Sequence, residues 1–205
     1  MLENYKQFQS FLENLKLNNK KPSILLHTCC APCSSYTLKK LCEYFDVTIF
    51  YSNDNIYPYE EYELRLSEQI RFANEFGIKV LHDTYNSKDY EDAISGLETL
   101  GEKSTRCYEC YKLRLKKTAI KAKELGFDYF TTSLSISPYK IARWINEIGY
   151  HLEKEYDVLF LYSDFKKEEG YKESIKLSTK YNLYRQDYCG CKYSKEGKWC
   201  YGQAI

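Results

Sequence analysis

Seven cysteines of this chain fall into three close groups: Cys29-Cys30-Ala31-Pro32-Cys33, Cys107-Tyr108-Glu109-Cys110 and Cys189-Gly190-Cys191. Sulfur at that density serves a disulfide framework, a zinc site, a thioredoxin-like dithiol or an iron–sulfur cluster. The chain carries nine cysteines. An odd count in a chain without a secretory leader pattern argues against a disulfide framework. Four thiolates satisfy zinc or a [4Fe–4S] cluster equally, so ligand number does not separate them. The surplus does tilt the balance: a closed zinc site takes four ligands and leaves the third group without a task. Cys30-Ala31-Pro32-Cys33 lies between a strand pattern and a helix pattern, as a thioredoxin-like dithiol does. That chemistry needs two thiols and leaves Cys29, Cys107 and Cys110 idle. A thioredoxin-like oxidoreductase and a zinc-stabilised RNA-binding module stand as the alternatives to an iron–sulfur enzyme. Cys42, on the Leu38/Leu41/Phe45 side of a helix pattern, reads as core, and Cys200 beside Trp199 as a bystander.

These groups need elements to bring them together. Short apolar, β-branched runs alternate with helical periodicity: 21–28, 46–53, 78–83, 128–134 and 157–165 read as strands, and 34–45, 60–77, 88–100, 111–126, 138–149 and 168–181 as helices. Gly77 and Gly126 close two of the helices, and Pro138 opens another. The pattern predicts a three-layer α/β fold, a parallel sheet with helices on both faces. We read one domain over 1–205, with an N-terminal amphipathic helix in 1–21 and a cysteine-bearing tail in 187–205. Ligands of such sheets bind beyond the carboxyl ends of the strands. Cys29/Cys30, Asn53/Asp54, Asp83, Ser133/Ser135 and Asp164 follow strands and share that rim. The Cys29–Cys33 and Cys107–Cys110 groups start helices, where backbone N–H groups and the helix dipole favour thiolate.

Thirty basic and twenty-nine acidic residues give a net charge of +1, so a nucleic-acid surface, if present, is a local patch. Tyr5, Phe8, Leu12 and Leu15 space an amphipathic helix rather than a secretory leader, and no apolar run spans a bilayer. The expected location is the cytoplasm. No glycine-rich phosphate loop supports nucleotide hydrolysis.

The segments LLHTCCAPCSSY, FYSNDNIYP, RCYECYKLRLKKTA, FDYFTTSLSISPYK, YSDFKKEEGYKESI and YRQDYCGC, spread over residues 23–193, resemble the epoxyqueuosine reductases of the QueH type. The resemblance implies a Rossmann-like fold related to adenine nucleotide alpha-hydrolases. It also implies reduction of epoxyqueuosine to queuosine at the wobble position of a tRNA with a GUN-type anticodon, with electrons from an unidentified donor. It places [4Fe–4S] ligands at Cys29, Cys30, Cys107 and Cys110 and a redox-active pair at Cys189 and Cys191. A second, mononuclear iron beside the cluster takes cysteines and an aspartate, Asp83 or Asp187. Asn53-Asp54-Asn55 departs from the usual Asn-Pro-Asn, and the segment after Tyr193 has no counterpart in the pattern.

Cys29 and Cys30 share a cluster only if the chain turns between them, because neighbouring side chains of an extended backbone point to opposite faces. An acid, Asp83 or a tyrosine, is expected to protonate the departing epoxide oxygen. Lys112, Arg114, Lys116, Lys117, Lys121 and Lys123 give the helix after Cys110 a basic face. Lys116 and Lys117 on it are the expected holders of RNA phosphates, and Asn53, Tyr57 and Tyr59 of a splayed base. His27 reads as a hydrogen-bonded core histidine, and Ser135 and Ser137 as helix caps.

Overall fold

The computed structural model describes residues 5–18, 20–162 and 164–197; Trp199 and Cys200 lie outside them. Five parallel strands form one sheet in the order β3-β2-β1-β4-β5. They are β1 (Ser23–Thr28), β2 (Asp46–Tyr51), β3 (Val80–His82), β4 (Tyr129–Thr132) and β5 (Leu159–Phe160). β1 sits at the centre, with Leu26 level with Ile49 of β2 and Thr131 of β4. The chain first winds outward through β2 and β3, then restarts on the other side with β4 and β5. The order therefore reverses between β1 and β4, and a crevice opens at their carboxyl ends.

Alternation along β1 divides the core. Ile24 and Leu26 face one cluster with Phe8, Leu12 and Leu15 of α1 (Tyr5–Leu17), Leu38 and Leu41 of α2 (Ala31–Leu41), and Phe72 of α3 (Tyr59–Asn74). Leu25 faces the other, beneath α5 (Thr105–Glu124) and α6 (Ala142–Tyr156). The period of two in a strand buried on both faces accounts for this split. It completes the expected three layers. α4 (Ser87–Ala93), α7 (Gly170–Lys180) and α8 (Lys192–Glu196) finish the helices.

α5 carries the second cysteine group. Tyr111, Leu115, Ala119 and Ala122 form its fully buried stripe, at the spacing that keeps one helical face on the sheet. It ends at Gly126, whose φ of 72° lets Phe127 N–H reach the Ala122 carbonyl at 2.9 Å.

The structure corrects several expected boundaries. α5 begins at Thr105, so Cys107 and Cys110 lie in its first two turns rather than ahead of it. α4 is half the length read for 88–100, and β5 pairs over two residues instead of nine. Pro138 does not open α6, which starts at Ala142. The intervening residues form a loop held by a Lys140 N–H bond to the Ser137 carbonyl, and that loop lies at the crevice. The tail, read without structure, holds the short α8. No helix among the described residues is long and apolar enough to cross a membrane.

Candidate metal and redox centre

The chain turns sharply between β1 and α2. Cys30 takes an extended backbone at the helix start and Pro32 occupies the first turn, where its missing N–H costs nothing. The turn gathers the sulfurs of Cys29, Cys30 and Cys33 within 4.8 Å of one another. It satisfies the condition set by neighbouring Cys29 and Cys30. It also adds Cys33, which was absent from the expected ligand set although the CxxC spacing contained it.

The three thiols do not share charge equally. Hydrogen bonds from Cys30 and Cys33 hold Cys29 well below the usual thiol range, with Arg114 adding to the effect. Burial pushes Cys30 up to about 12. Cys33 is raised because it donates to Cys29. The turn therefore favours the charged form at Cys29 and the protonated form at Cys30 and Cys33.

Cys29 and Cys33 line a cavity of about 80 Å³ together with Arg114, Lys140, Gln186 and Cys189. They arrive from the β1–α2 turn, the start of α2, α5, the loop before α6 and the tail. Gln186 donates to the Cys30 sulfur at 3.0 Å. The Lys140 ammonium donates to the Cys189 sulfur at 2.6 Å. Cys110 is buried against Cys191, Tyr90 and Ile94, and burial raises it to about 12. Burial also raises Cys107, while Lys140 draws it down. Cys29, Cys33 and Cys189 thus share one cavity, while Cys107 and Cys110 stand beside it without lining it, Cys110 packed on Cys191; among the described residues only Cys29, Cys30 and Cys33 gather within 4.8 Å. No disulfide joins any of the described cysteines.

The tail owes its position to backbone bonds. Tyr57 N–H donates to the Gly190 carbonyl at 2.8 Å, and the Tyr188 hydroxyl to the Tyr57 carbonyl at 2.5 Å. Arg65, almost fully buried, bonds Glu61 at 2.7 Å and reaches the Cys189 carbonyl at 3.4 Å. Gly190 has a φ of 125°, and a Cβ there would stand 3.1 Å from Arg65 and 3.2 Å from Ile56. Glycine is the residue that fits this approach.

Other expected site residues have different surroundings. Asp83 accepts from the Ser52 hydroxyl at 3.0 Å and is not among the residues lining the cavity; Asp187 is exposed. Asn53, read as a base contact, is buried; its amide donates to the Thr28 carbonyl at 2.8 Å and its oxygen accepts from Arg114 at 2.6 Å. Tyr57 and Tyr59 are exposed, with Tyr59 packed on Tyr62 and Tyr85. The basic face of α5 is largely paired within the protein. Arg114 is buried, and Lys117 bridges Asp54 and Asp89 at 2.6 Å each. Lys121 and Lys123 pair with Glu124 and Asp157. Lys116 is exposed. Electrostatic pairing decided which lysines face solvent freely, and helical spacing carries no trace of it.

His27 is a core histidine, as read. Its Nε2–H donates to the Ser52 carbonyl (3.2 Å) and its Nδ1 accepts from Thr132 (2.8 Å), and burial lowers it to about 3. Ser137 caps Tyr139, whereas Ser135 ties the loop at Phe165 instead of a helix.

The epoxyqueuosine reductase QueH family model matches residues 24–197. The epoxyqueuosine reductase QueH of Streptococcus pyogenes is 44% identical over 85% of this chain and 71% of its own length. That of Thermotoga maritima is 35% identical over 84% and 90%. Among solved structures, the U34-tRNA thiolase NcsA from Methanococcus maripaludis with its [4Fe-4S] cluster superposes with a TM-score of 0.50 at 14% identity, covering 92% of this chain and 69% of that one. A predicted subunit of tRNA methyltransferase from Methanocaldococcus jannaschii gives 0.52 at 17%, covering 76% and 74%. Those two likenesses show the fold alone, the parallel sheet with helices on both faces that the sequence pattern predicts. Identity at this level over most of both chains, with the cysteine motifs in order, places this chain in the epoxyqueuosine reductase QueH family.

Proposed function

We propose that this chain reduces epoxyqueuosine in the anticodon of a tRNA to queuosine, in the cytoplasm, with an iron–sulfur cluster at the cysteine rim. The observation that carries the reading is the gathering of Cys29, Cys30 and Cys33 at one crevice, with Cys189 on the same cavity and Cys107 and Cys110 in the first turns of the helix beside it. The donors fit the group: soft thiolates in a half-buried site suit an iron–sulfur cluster. Cys29, Cys30, Cys107 and Cys110 are the proposed ligands. Cys33, Cys189 and Cys191 remain as donors for a second, mononuclear iron. Asp83 is the weaker candidate for that iron because Ser52 already engages it.

Converting the epoxide to the alkene removes one oxygen as water and takes two electrons and two protons. When bound, the cluster supplies single electrons that side chains cannot. The rest falls to the chain. The cationic side chains of Arg114 and Lys140 at the cavity favour negative charge as the C–O bond breaks. The Lys140 ammonium holds a proton 2.6 Å from Cys189, where a departing oxygen is within reach of a proton donor. Cys189 and Cys191 are proposed to relay the electron pair received from an unidentified donor. Half-buried Tyr139 and Tyr171 at the cavity wall exclude water from the reacting face.

The test is anaerobic purification, iron and sulfide analysis, then chemical reduction with an anticodon stem-loop carrying epoxyqueuosine. Mass spectrometry should show loss of one oxygen. A colourless zinc protein, or an iron-loaded protein that leaves the epoxide intact, would overturn the reading.

A further inference from the structure

Arg114 presents a physical problem that the proposed chemistry answers. Its side chain is 3% exposed. Its Nη2 donates to Asn53 Oδ1 at 2.6 Å, while its Nε has no partner. No carboxylate pairs with it among the described residues. Two other guanidiniums near this rim are buried: Arg65 has Glu61 at 2.7 Å, and Arg106 lies over the Tyr193 ring at 4.4 Å, away from the cavity lining. A buried cation without a counter-charge costs several kcal/mol, and guanidinium does not escape by losing its proton. The negative charge must come from elsewhere. Arg114 lies one helical turn beyond Cys110 on the same face of α5, and it lines the cavity with Cys29, Cys33 and Cys189.

The partner of Arg114 is equally placed. Asn53 follows β2, and its Nδ2 donates to the Thr28 carbonyl at 2.8 Å. Thr28 is the last residue of β1, directly before Cys29. One chain of two hydrogen bonds therefore runs from the helix bearing Cys110 to the strand end bearing Cys29 and Cys30. It crosses the space between the two cysteine groups that must act together.

We infer that Arg114 is the fixed counter-charge of the metal centre, held by Asn53, and that it sets how readily the centre accepts an electron. The inference rests on the proposed iron–sulfur reading. Burial opposes the charge on Arg114, yet Cys110, Cys29 and Cys189 together outweigh it, which agrees with the geometry. Arg114 is a positioning and tuning residue; the inference gives it no contact with substrate. A cation beside a cluster stabilises the reduced, more negative state. The expected RNA role of Arg114 and the expected base contact of Asn53 give way to this pairing.

The experiment uses the anaerobically reconstituted full chain and three variants: Arg114→Met, Arg114→Lys and Asn53→Ala. Iron and sulfide per chain come first, then a mediated redox titration followed by electron paramagnetic resonance. At the wild-type midpoint, Arg114→Met should lower the ratio of reduced to oxidised cluster about ten-fold, equivalent to about 59 mV for one electron. Arg114→Lys, which keeps the charge, should stay within about two-fold of wild type. Asn53→Ala, which frees the guanidinium from its fixed place, should shift the midpoint in the same direction as Arg114→Met by a smaller amount; a merely structural Arg114 would lose thermal stability in both variants with no shift, and that result overturns the inference. Should Arg114→Met fail to hold iron, Arg114→Lys decides. A loaded lysine variant at the wild-type midpoint supports the inference, and one that is shifted or empty overturns it. A loaded wild type with an unshifted Arg114→Met overturns this inference alone. A wild type that takes up no iron and sulfide removes the proposed function and this inference together.

Discussion

Asp54 stands where the family resemblance leads to an expected proline, and the structure gives it work that proline cannot do. Its side chain is 3% exposed and takes Lys117 Nζ at 2.6 Å. It also accepts the Asn86 N–H, just ahead of α4, at 2.9 Å. Lys117 extends the link to Asp89 at 2.6 Å. β2, α4 and α5 are thereby joined at one point. Replacing Asp54 with asparagine keeps the shape and removes the charge. A hydrogen bond to a charged group is worth about 1.5–3 kcal/mol. Asp89 still compensates Lys117 but is 39% exposed, so solvent screens it and its share is discounted. The expected loss is about 2 kcal/mol. For a chain of this size that lowers the melting temperature by about 4–8 °C.

Calorimetry on the wild type, Asp54→Asn, Lys117→Met and the double variant gives the coupling energy directly. The pH dependence has a definite sign. Burial pulls the Lys117 ammonium down, but its bonds to Asp54 and Asp89 outweigh that and raise it. A raised lysine contributes fully below its unfolded value of about 10.4 and loses that contribution as pH climbs through the folded value. Asp54→Asn should therefore flatten the alkaline limb of the stability curve and leave the neutral region parallel to wild type. Additive single variants, or a melting temperature shifted by under about 1 °C, would refute the reasoning. So would a Lys117→Met variant that binds stem-loop RNA poorly while melting normally, because it would return Lys117 to the RNA surface.

Gly190→Ala places a methyl group 3.1 Å from Arg65 at a φ of 125°; we expect destabilisation of about 1–3 kcal/mol, read by thermal melting, with a parallel fall in turnover as Cys189 is displaced. Cys33→Ser should reduce iron per chain, whereas Cys42→Ser, on the cap of α2 and away from the cavity, should leave it unchanged; equal iron in both would remove Cys33 from the centre. Lys116→Glu should weaken stem-loop binding and reduce the slope of log K against log salt by about 1, and binding identical to wild type at every salt concentration would clear α5 of any RNA contact.

The layer order and the rim were legible in the chain because both depend on periodicity and on strand ends, which are local properties. The continuous apolar run Ile24-Leu25-Leu26 reported a strand buried on both faces, and the stripe of Leu115, Ala119 and Ala122 a helical face turned to the sheet. β5 was overread because Val158 and Leu161 are buried as loop residues on either side of a two-residue pairing; apolar content marks burial, and only hydrogen bonding marks a strand. Helix 138–149 was started early for a related reason, since a proline suits a turn as well as a first helical position.

The site was legible to a different degree. Cysteine spacing announced which segments had to converge, and it did so without any fold. It carried no information on which cations were buried. Arg114 and Lys117 sit three apart on a helix that is covered by the sheet on one side and approached by Asp54 and Asp89 on another. A basic stripe in a helical projection looks the same whether it faces water, phosphate or a buried thiolate. What separates these outcomes is the partner, and the partners Asn53 and Asp54 lie about sixty residues earlier in the chain. Sequence patterns decide where charge is placed along an element; the crossing of elements decides whether that charge binds a ligand, staples the fold or tunes a metal. For α5 three surroundings fall on neighbouring turns: Cys110 and Arg114 buried beside the cavity, Lys117 at the staple, and Lys116 on the exposed surface where the proposed RNA contact would fall.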